Sequence, residues 1–507
     1  AFLVISVAVA TFAATYRATL ERGQREQAAF ALGADIVLRE DLRRLVPVRE
    51  VATERRLAGL GDDVDAAPVI RQVANVAGVG TLSAITLLGL EPKLLETLRG
   101  SSFDAPDLAF PSELRGPRLP PSARELELGG RSSVAGLSLG VALRQPDGAY
   151  EQIELSVPGR AAIPRAARGG TLLGFQLLPP PRLREAGADA GRPLVAEIEL
   201  EPLRAGGAVV SGYADWVGIG GASFARGRLG VTVTPGIETW FRPRQAIDTM
   251  SLPAVVSPLL ARLADDSGRL TLQVGGRPVR LEVAGVATRF PSARNDFAVV
   301  DRAALDSAMN LAAPGSGFAT EAWLDATTPA AETTVRSRLR RAPFDALVLD
   351  SRVEREARLR GDPLARGALA MLLVGAAISL LLALLALALA ALSDLRDDRR
   401  ELLDLETQGA APRLLRRLIR LRQLGAGTLG LVGGLLTGAV LAALVVDVVA
   451  VSATGERPVP PLELSLDPIA VVAVVGGVGL IGALVIVATT RGAFRARAAG
   501  RPAREDP

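Results

Sequence analysis

GALAMLLVGAAISLLLALLALALAAL, Gly367 to Leu392, is 26 residues long and carries no charge. A membrane span needs about 20 apolar residues to cross roughly 30 Å of hydrocarbon. This stretch meets that length and is too apolar for an amphipathic core helix. Two similar stretches follow it: Leu424–Val451, interrupted only by Asp447, and Ile469–Thr489, with 21 uncharged residues. A fourth uncharged run, Ala1–Tyr16, is shorter; at about 1.5 Å per residue it covers roughly 24 Å. It reads as the outer part of a truncated first span, in a chain that is a fragment. A secretory leader is the competing reading, but no basic segment precedes the run.

Working outward, the loops set an orientation. Ser393–Gln423 holds eight arginines and Arg491–Pro507 holds five, whereas Ser452–Pro468 has only Arg457 against Glu456, Glu463 and Asp467. Short loops rich in arginine stay on the cytoplasmic side. The expected order is therefore span one at 1–16 and an extracytoplasmic domain at 17–366. Span two follows at 367–392, a cytoplasmic loop at 393–423, span three at 424–451, an external loop at 452–468, span four at 469–490 and a basic cytoplasmic tail at 491–507. Arg17, Arg22, Arg25, Arg358, Arg360 and Arg366 flank the large domain and argue locally against this orientation. Long translocated domains escape the rule, so the short loops decide.

The large domain is broken by Pro and Gly and reads as strand-rich α+β. Strands are expected at Ala34–Leu38, Val51–Thr53, Ile85–Leu90, Ser133–Leu143, Gln152–Val157, Val195–Leu200, Leu229–Val233, Leu270–Val274, Val279–Val286 and Phe297–Val300. Helices are expected at Arg302–Leu311 and Pro329–Arg341. Gly33 ends the helix that leaves span one. Proline-rich Pro111–Pro121 and Pro179–Pro181 bracket an inserted β unit at about 120–210. The fold class is thus an α-helical membrane protein of four spans with a large strand-rich α+β extracytoplasmic domain.

The composition narrows the chemistry. Of 507 residues none is Cys or His, and Lys93 is the single lysine. That removes disulfides, thiolate metal sites, Ser-His-Asp triads and HExxH metal sites. Lys93 lies in Leu90-Glu91-Pro92-Lys93-Leu94, with no Gly before it and no Ser or Thr after it, so it is no P-loop lysine. Net charge is +4 and aromatics are 4%, which gives no basis for nucleic-acid binding. No cofactor is implied.

Several motif matches are refused. Gly136-Leu137-Ser138-Leu139-Gly140 fits the nucleophile elbow, but no His exists to take the serine proton. Gly425–Gly430 and Gly477–Gly482 fit G-x-G-x-x-G inside expected spans, not after a strand. Asp62, Asp63 and Asp65 lack calcium-loop spacing. Asp447, by contrast, stays open. An ionisable residue within a span is a functional candidate by default. The competing reading is that, about four residues from the outer end, it reaches the interface at modest cost.

Two features carry function. Gly430, Gly434, Gly438 and Ala442 recur every four residues and lay a smooth packing stripe along span three. The stripe leaves open whether its partner is this subunit, a second copy or a second half of the assembly. In the loop, Arg399-Arg400-Glu401-Leu402-Leu403-Asp404-Leu405-Glu406-Thr407-Gln408-Gly409-Ala410 precedes a basic amphipathic segment. There Leu414, Leu415, Leu418, Ile419 and Leu421 alternate with Arg413, Arg416, Arg417, Arg420 and Arg422. Two short helices joined at Gly-Ala-Ala-Pro are expected, able to rest on membrane lipid or to dock in a partner's groove.

This loop resembles the FtsX-like ABC-transporter permeases, the superfamily of MacB and the LolC/LolE proteins. Their signature, R-R-E-[LI]-x-x-L-x-x-x-G-A, is matched by Arg399, Arg400, Glu401, Leu402, Leu405, Gly409 and Ala410. Gln408 departs from it, where the family usually has an apolar residue. Thr15–Leu38, with Gln24, Gln27, Gly33 and Asp35, also resembles the segment leaving span one in actinobacterial members. The resemblance covers the whole chain in architecture and is specific in these two segments. It implies a non-catalytic permease in the plasma membrane of a bacterium, coupled to a separate cytoplasmic ABC ATPase. The loop around Glu401–Gln423, including Leu414 and Leu418, would sit in the ATPase groove and pass motion to the exterior domain. Two other classes remain open: a membrane-anchored receptor or scaffold without ATP coupling, and an exterior Asp/Glu hydrolase.

Overall fold

The computed structural model describes residues 2–76, 84–98, 106–180, 193–234, 237–397, 412–449 and 459–499. The chain divides into two compact units: Ala1–Ala31 together with Ser351–Pro507, and Leu32–Asp350.

The first unit is helical. Its long helices are Phe2–Leu32, Pro363–Asp397, Pro412–Val449 and Pro468–Ala499, and each holds a stretch long and apolar enough to cross a membrane. Proline opens the last three, which suits it, because the first-turn N–H groups have no helical partner. Within its most apolar stretch the first helix is 56% buried, against 11%, 17% and 11% for the others. The first helix is therefore the most enclosed of the four. The other three turn leucines and isoleucines such as Leu381, Leu429 and Ile469 outward. A contiguous apolar exterior of this kind suits an apolar surrounding rather than water.

One expectation is corrected here. Residues 412–423 do not form a separate amphipathic helix, because helix Pro412–Val449 runs through them into the apolar stretch. After Pro412 the segment is Leu, Arg, Ile and Gln until Gly425, and nothing in it breaks a helix. By compactness the globular unit spans Leu32–Asp350, and residues 17–31 and 351–366 group with the helices.

The second unit is built on a nine-stranded sheet. In order its strands are Arg269–Val274, Arg277–Val286, Leu252–Val256, Phe297–Asp301, Ile85–Leu90, Val64–Val76, Glu321–Ala326, Ile36–Arg39 and Val348–Ser351. Leu252–Val256 runs parallel to Arg277–Val286, and Phe297–Asp301 runs parallel to Ile85–Leu90. The 13-residue strand Val64–Val76 takes three partners in turn. Val64–Val69 pairs with Glu321–Ala326, and Ile70–Ala74 pairs with Ile85–Gly89. Ala74–Val76 then pairs with Leu272–Val274, which closes six strands into a ring. Ile70, Leu87, Val256, Leu272, Leu281 and Val300 fill the ring, with Leu305 and Met309 from helix Arg302–Ala312. Asp301 caps that helix by accepting from the Ala304 N–H at 2.9 Å. Alternate residues of the same strands, such as Leu88, Val255, Phe297 and Val299, pack outside the ring with Trp323 and Phe290. Burial on both faces explains the unbroken apolar run in Phe297–Val300.

Strands from Glu125 to Pro243 form a five-stranded sheet and two four-stranded sheets around a shared core. This β unit passes the expected boundary at 210. Phe175, Tyr213, Trp216 and Phe241 explain why: their rings cluster at 5.0–6.2 Å and tie the later strands to the earlier ones. The strand expected at Val51–Thr53 is instead a helix end and a cap. Thr53 Oγ1 accepts from the Arg56 N–H at 3.4 Å and opens helix Glu54–Ala58. Gly33 follows helix Phe2–Leu32 at φ +78°, and a Cβ there would stand 2.9 Å from the Trp323 ring.

Candidate functional site

The glycine stripe is the best-defined feature of the helical unit. A Cβ on Gly434 would lie 2.5 Å from Val7 Cβ and 2.8 Å from the Val4 carbonyl oxygen. On Gly438 it would lie 2.7 Å from the Ala8 carbonyl oxygen and 2.8 Å from Thr11 Cβ. On Gly430 it would lie 2.9 Å from Leu3 Cδ2. Any larger residue would push the helices apart, so the close approach depends on glycine. Ala442, one turn on, is fully buried. The stripe therefore packs on the first helix of the same chain.

The first helix answers with a polar row that the sequence reading missed. Ser6, Thr11, Thr15 and Thr19 are all buried. Ser6 Oγ donates to the Ser379 carbonyl at 2.6 Å. Thr19 Oγ1 accepts from the Ser465 N–H at 3.1 Å and donates to its carbonyl at 3.3 Å. The hydroxyls of Thr11 and Thr15 have no partner among the described residues. The four-residue spacing of Thr11, Thr15 and Thr19 was the available signal, since it places them on one face.

Of the residues expected to couple to an ATPase, Arg399, Arg400, Glu401, Leu402, Leu405, Gly409 and Ala410 lie outside the described residues. Leu414 and Leu418 lie four apart on helix Pro412–Val449 and so share a face. Asp447 is near the end of that helix. Gln423 is buried, and its amide has no partner among the described residues.

The refused motifs have ordinary settings. Ser138 is a buried strand residue whose hydroxyl donates to Glu154 Oε1 at 2.5 Å. Both G-x-G-x-x-G matches lie inside helices. Among the described residues no group of three carboxylates is placed to hold a metal.

Two charged clusters organise the strand-rich unit. Glu321 is buried in the sheet and accepts from Arg71 Nε at 2.7 Å, Arg39 Nε at 2.8 Å and Trp323 Nε1 at 2.8 Å. Burial pushes its carboxyl up, but the two guanidinium groups outweigh that and hold it below the ordinary value. Arg71 also donates to Ser292 Oγ at 2.8 Å. The second cluster joins the β unit to the ring. Tyr150 donates to Asp306 Oδ2 at 3.2 Å, and Asn310 Nδ2 donates to Asp306 Oδ1 at 3.2 Å. Burial raises the carboxyl of Asp306 above its usual range.

No protein-family model matches this chain, and no curated protein matches it either.

Proposed function

We propose that the chain is the permease subunit of an FtsX-like ABC transporter. Its helices span the plasma membrane of a bacterium, and Leu32–Asp350 lies on the extracytoplasmic side. One observation carries this reading: the helical unit is assembled from both ends of the chain, and the strand-rich unit is inserted between its first and second long helices. The arginine-rich segment between the second and third helices, with its Arg399–Ala410 signature, fits a docking site for a separate ATPase. A partner ATPase would close on ATP, move this segment, and transmit the motion through the helices to the exterior unit. The polypeptide supplies leverage and the partner supplies hydrolysis. The stripe supports the reading, since a close-packed first helix moves with the third rather than sliding freely.

The test is co-purification. The full-length protein, extracted in mild detergent from its native host, is expected to retain a cytoplasmic ATPase in stoichiometric amount. Recovery without any ATPase would refute the permease reading and leave the anchored scaffold.

A further inference from the structure

The open end of the six-stranded ring holds a cavity of about 260 Å³. Val274 and Val279 line it from one hairpin, Ala308, Met309 and Ala312 from helix Arg302–Ala312, and Phe318 from the loop beyond. Gln72, Arg277 and Ser316 supply its polar edge. The space exists because small residues face it. Ala308 and Ala312 are one turn apart, and the hairpin turns at Gly275 and Gly276 with φ +56° and +80°. Two successive residues at positive φ favour glycine, which has no Cβ to clash.

The wall is preformed. Asn310 is fully buried, and its Oδ1 accepts from the Gly315 and Gly317 N–H groups at 2.8 and 3.1 Å. Its Nδ2 donates to the Gly317 carbonyl at 2.8 Å. This fixes the loop that carries Ser316 and Phe318. Ser316 Oγ donates to the Met309 carbonyl at 2.9 Å, and Arg49 lies 4.3 Å over the Phe318 ring. Arg277 is anchored as well. Its Nη2 donates to Glu238 Oε1 at 2.6 Å and its Nε to Glu238 Oε2 at 3.5 Å, a pairing that uses one edge of the guanidinium. Nη1 is on the other edge, 3.9 Å from where a Gly275 Cβ would stand, and Gly275 also lines the cavity.

An apolar floor with a fixed cationic donor at its edge selects an apolar group carried beside an anionic oxygen. The volume falls below the roughly 300–1,000 Å³ of sites for drug-sized ligands, so it suits one side chain. We propose that this cavity binds a peptide C-terminus, with its last, apolar side chain on Met309 and Phe318 and its carboxylate on Arg277 Nη1. The inference rests on the strand-rich unit alone and does not depend on the permease reading.

The test uses the purified full-length protein in detergent, titrated with acetyl-alanyl-leucine and with the amide of the same dipeptide. Saturation-transfer NMR reports binding, and unfolding midpoints check that each variant is folded. The free acid is expected to bind at least tenfold more tightly than the amide. Ala312→Phe, which fills the cavity, and Arg277→Gln are each expected to weaken the acid at least tenfold. Glu238→Gln breaks the same ion pair but keeps the cation, and is expected to bind the acid at least as well as the unaltered protein. Equal binding of acid and amide, or of Ala312→Phe and the unaltered protein, overturns the proposal. So does a loss in Glu238→Gln as large as that in Arg277→Gln, or no binding at millimolar dipeptide.

Discussion

Glu321 shows how much one residue holds. It is a buried carboxylate between two arginines, and Trp323 takes up a further part of its hydrogen-bonding capacity. Glu321→Gln removes the charge that Arg39 and Arg71 share and leaves Arg39 only its longer pairing with Asp350 at 3.7 Å. Removing one partner of a buried pair typically costs about 3–5 kcal/mol. Denaturant unfolding at neutral pH is expected to show a loss of that order. The sign with pH follows from the lowered carboxyl. A depressed folded value gives stability that is present above the unfolded value, near about 4.3, and is lost as pH falls through the folded one. The gap between Glu321→Gln and the unaltered protein is therefore expected to close in acid. A gap of constant size across that range would show that Glu321 is not held as an anion. This residue was not legible in the sequence. Glu321 sits in an ordinary strand, and its partners Arg39 and Arg71 lie about 250 residues or more away. Gly33 was legible, because a glycine after a helix is a local signal.

The stripe belongs to the scale of elements. Its periodicity was readable, since four residues per repeat is a property of one helix. Its partner was not, because the first helix lies some 400 residues earlier in the chain. The pairing has a direct test in a protein that contains no cysteine. A Cβ on Gly430 would stand 3.5 Å from Leu3 Cβ, within the roughly 3.5–4.5 Å that a disulfide spans. Leu3→Cys with Gly430→Cys is expected to form an intramolecular disulfide under mild oxidation, seen as a mobility shift reversed by reductant. Adding Gly434→Leu should abolish it, because the leucine would collide with Val7 and the Val4 carbonyl. Cross-linked dimers in place of the internal bond would assign the stripe to a second copy. The continuous helix Pro412–Val449 was misjudged as two pieces for a related reason. Its switch from arginine-rich to apolar looks like a boundary in composition, yet the backbone has no break there.

At the scale of the whole molecule, the four apolar runs and the strand-rich middle could be read in advance because each signal is local. Ring closure could not, since it rests on Val76 opposite Leu272, nearly 200 residues apart. The peptide cavity was equally hidden, being assembled from Gln72, Val274, Met309 and Phe318 on four separate segments. The Arg399–Ala410 segment was plain in the sequence, and its proposed docking role leads to a prediction at this scale. Glu401→Arg reverses a charge inside the signature, and Gly409→Pro stiffens the segment just ahead of Pro412. Each is expected to abolish stimulation of the partner ATPase in reconstituted membranes, with insertion of the protein unchanged. Unaltered stimulation in both would remove the docking role from this loop.

The most buried of the long helices is also the first to be made. It carries Ser6, Thr11, Thr15 and Thr19 on faces that later parts of the chain cover. About three hundred residues separate it from the second long helix. At about 5–20 residues per second, the ribosome takes on the order of 15–60 seconds to supply that partner. Throughout that interval, on the permease reading, the first helix stands in lipid with its hydroxyls and its landing surface for the third helix not yet covered by the later parts of this chain. The strand-rich unit inserted after the first helix thus sets a waiting time in biogenesis, between the making of that helix and the arrival of the segments that cover it.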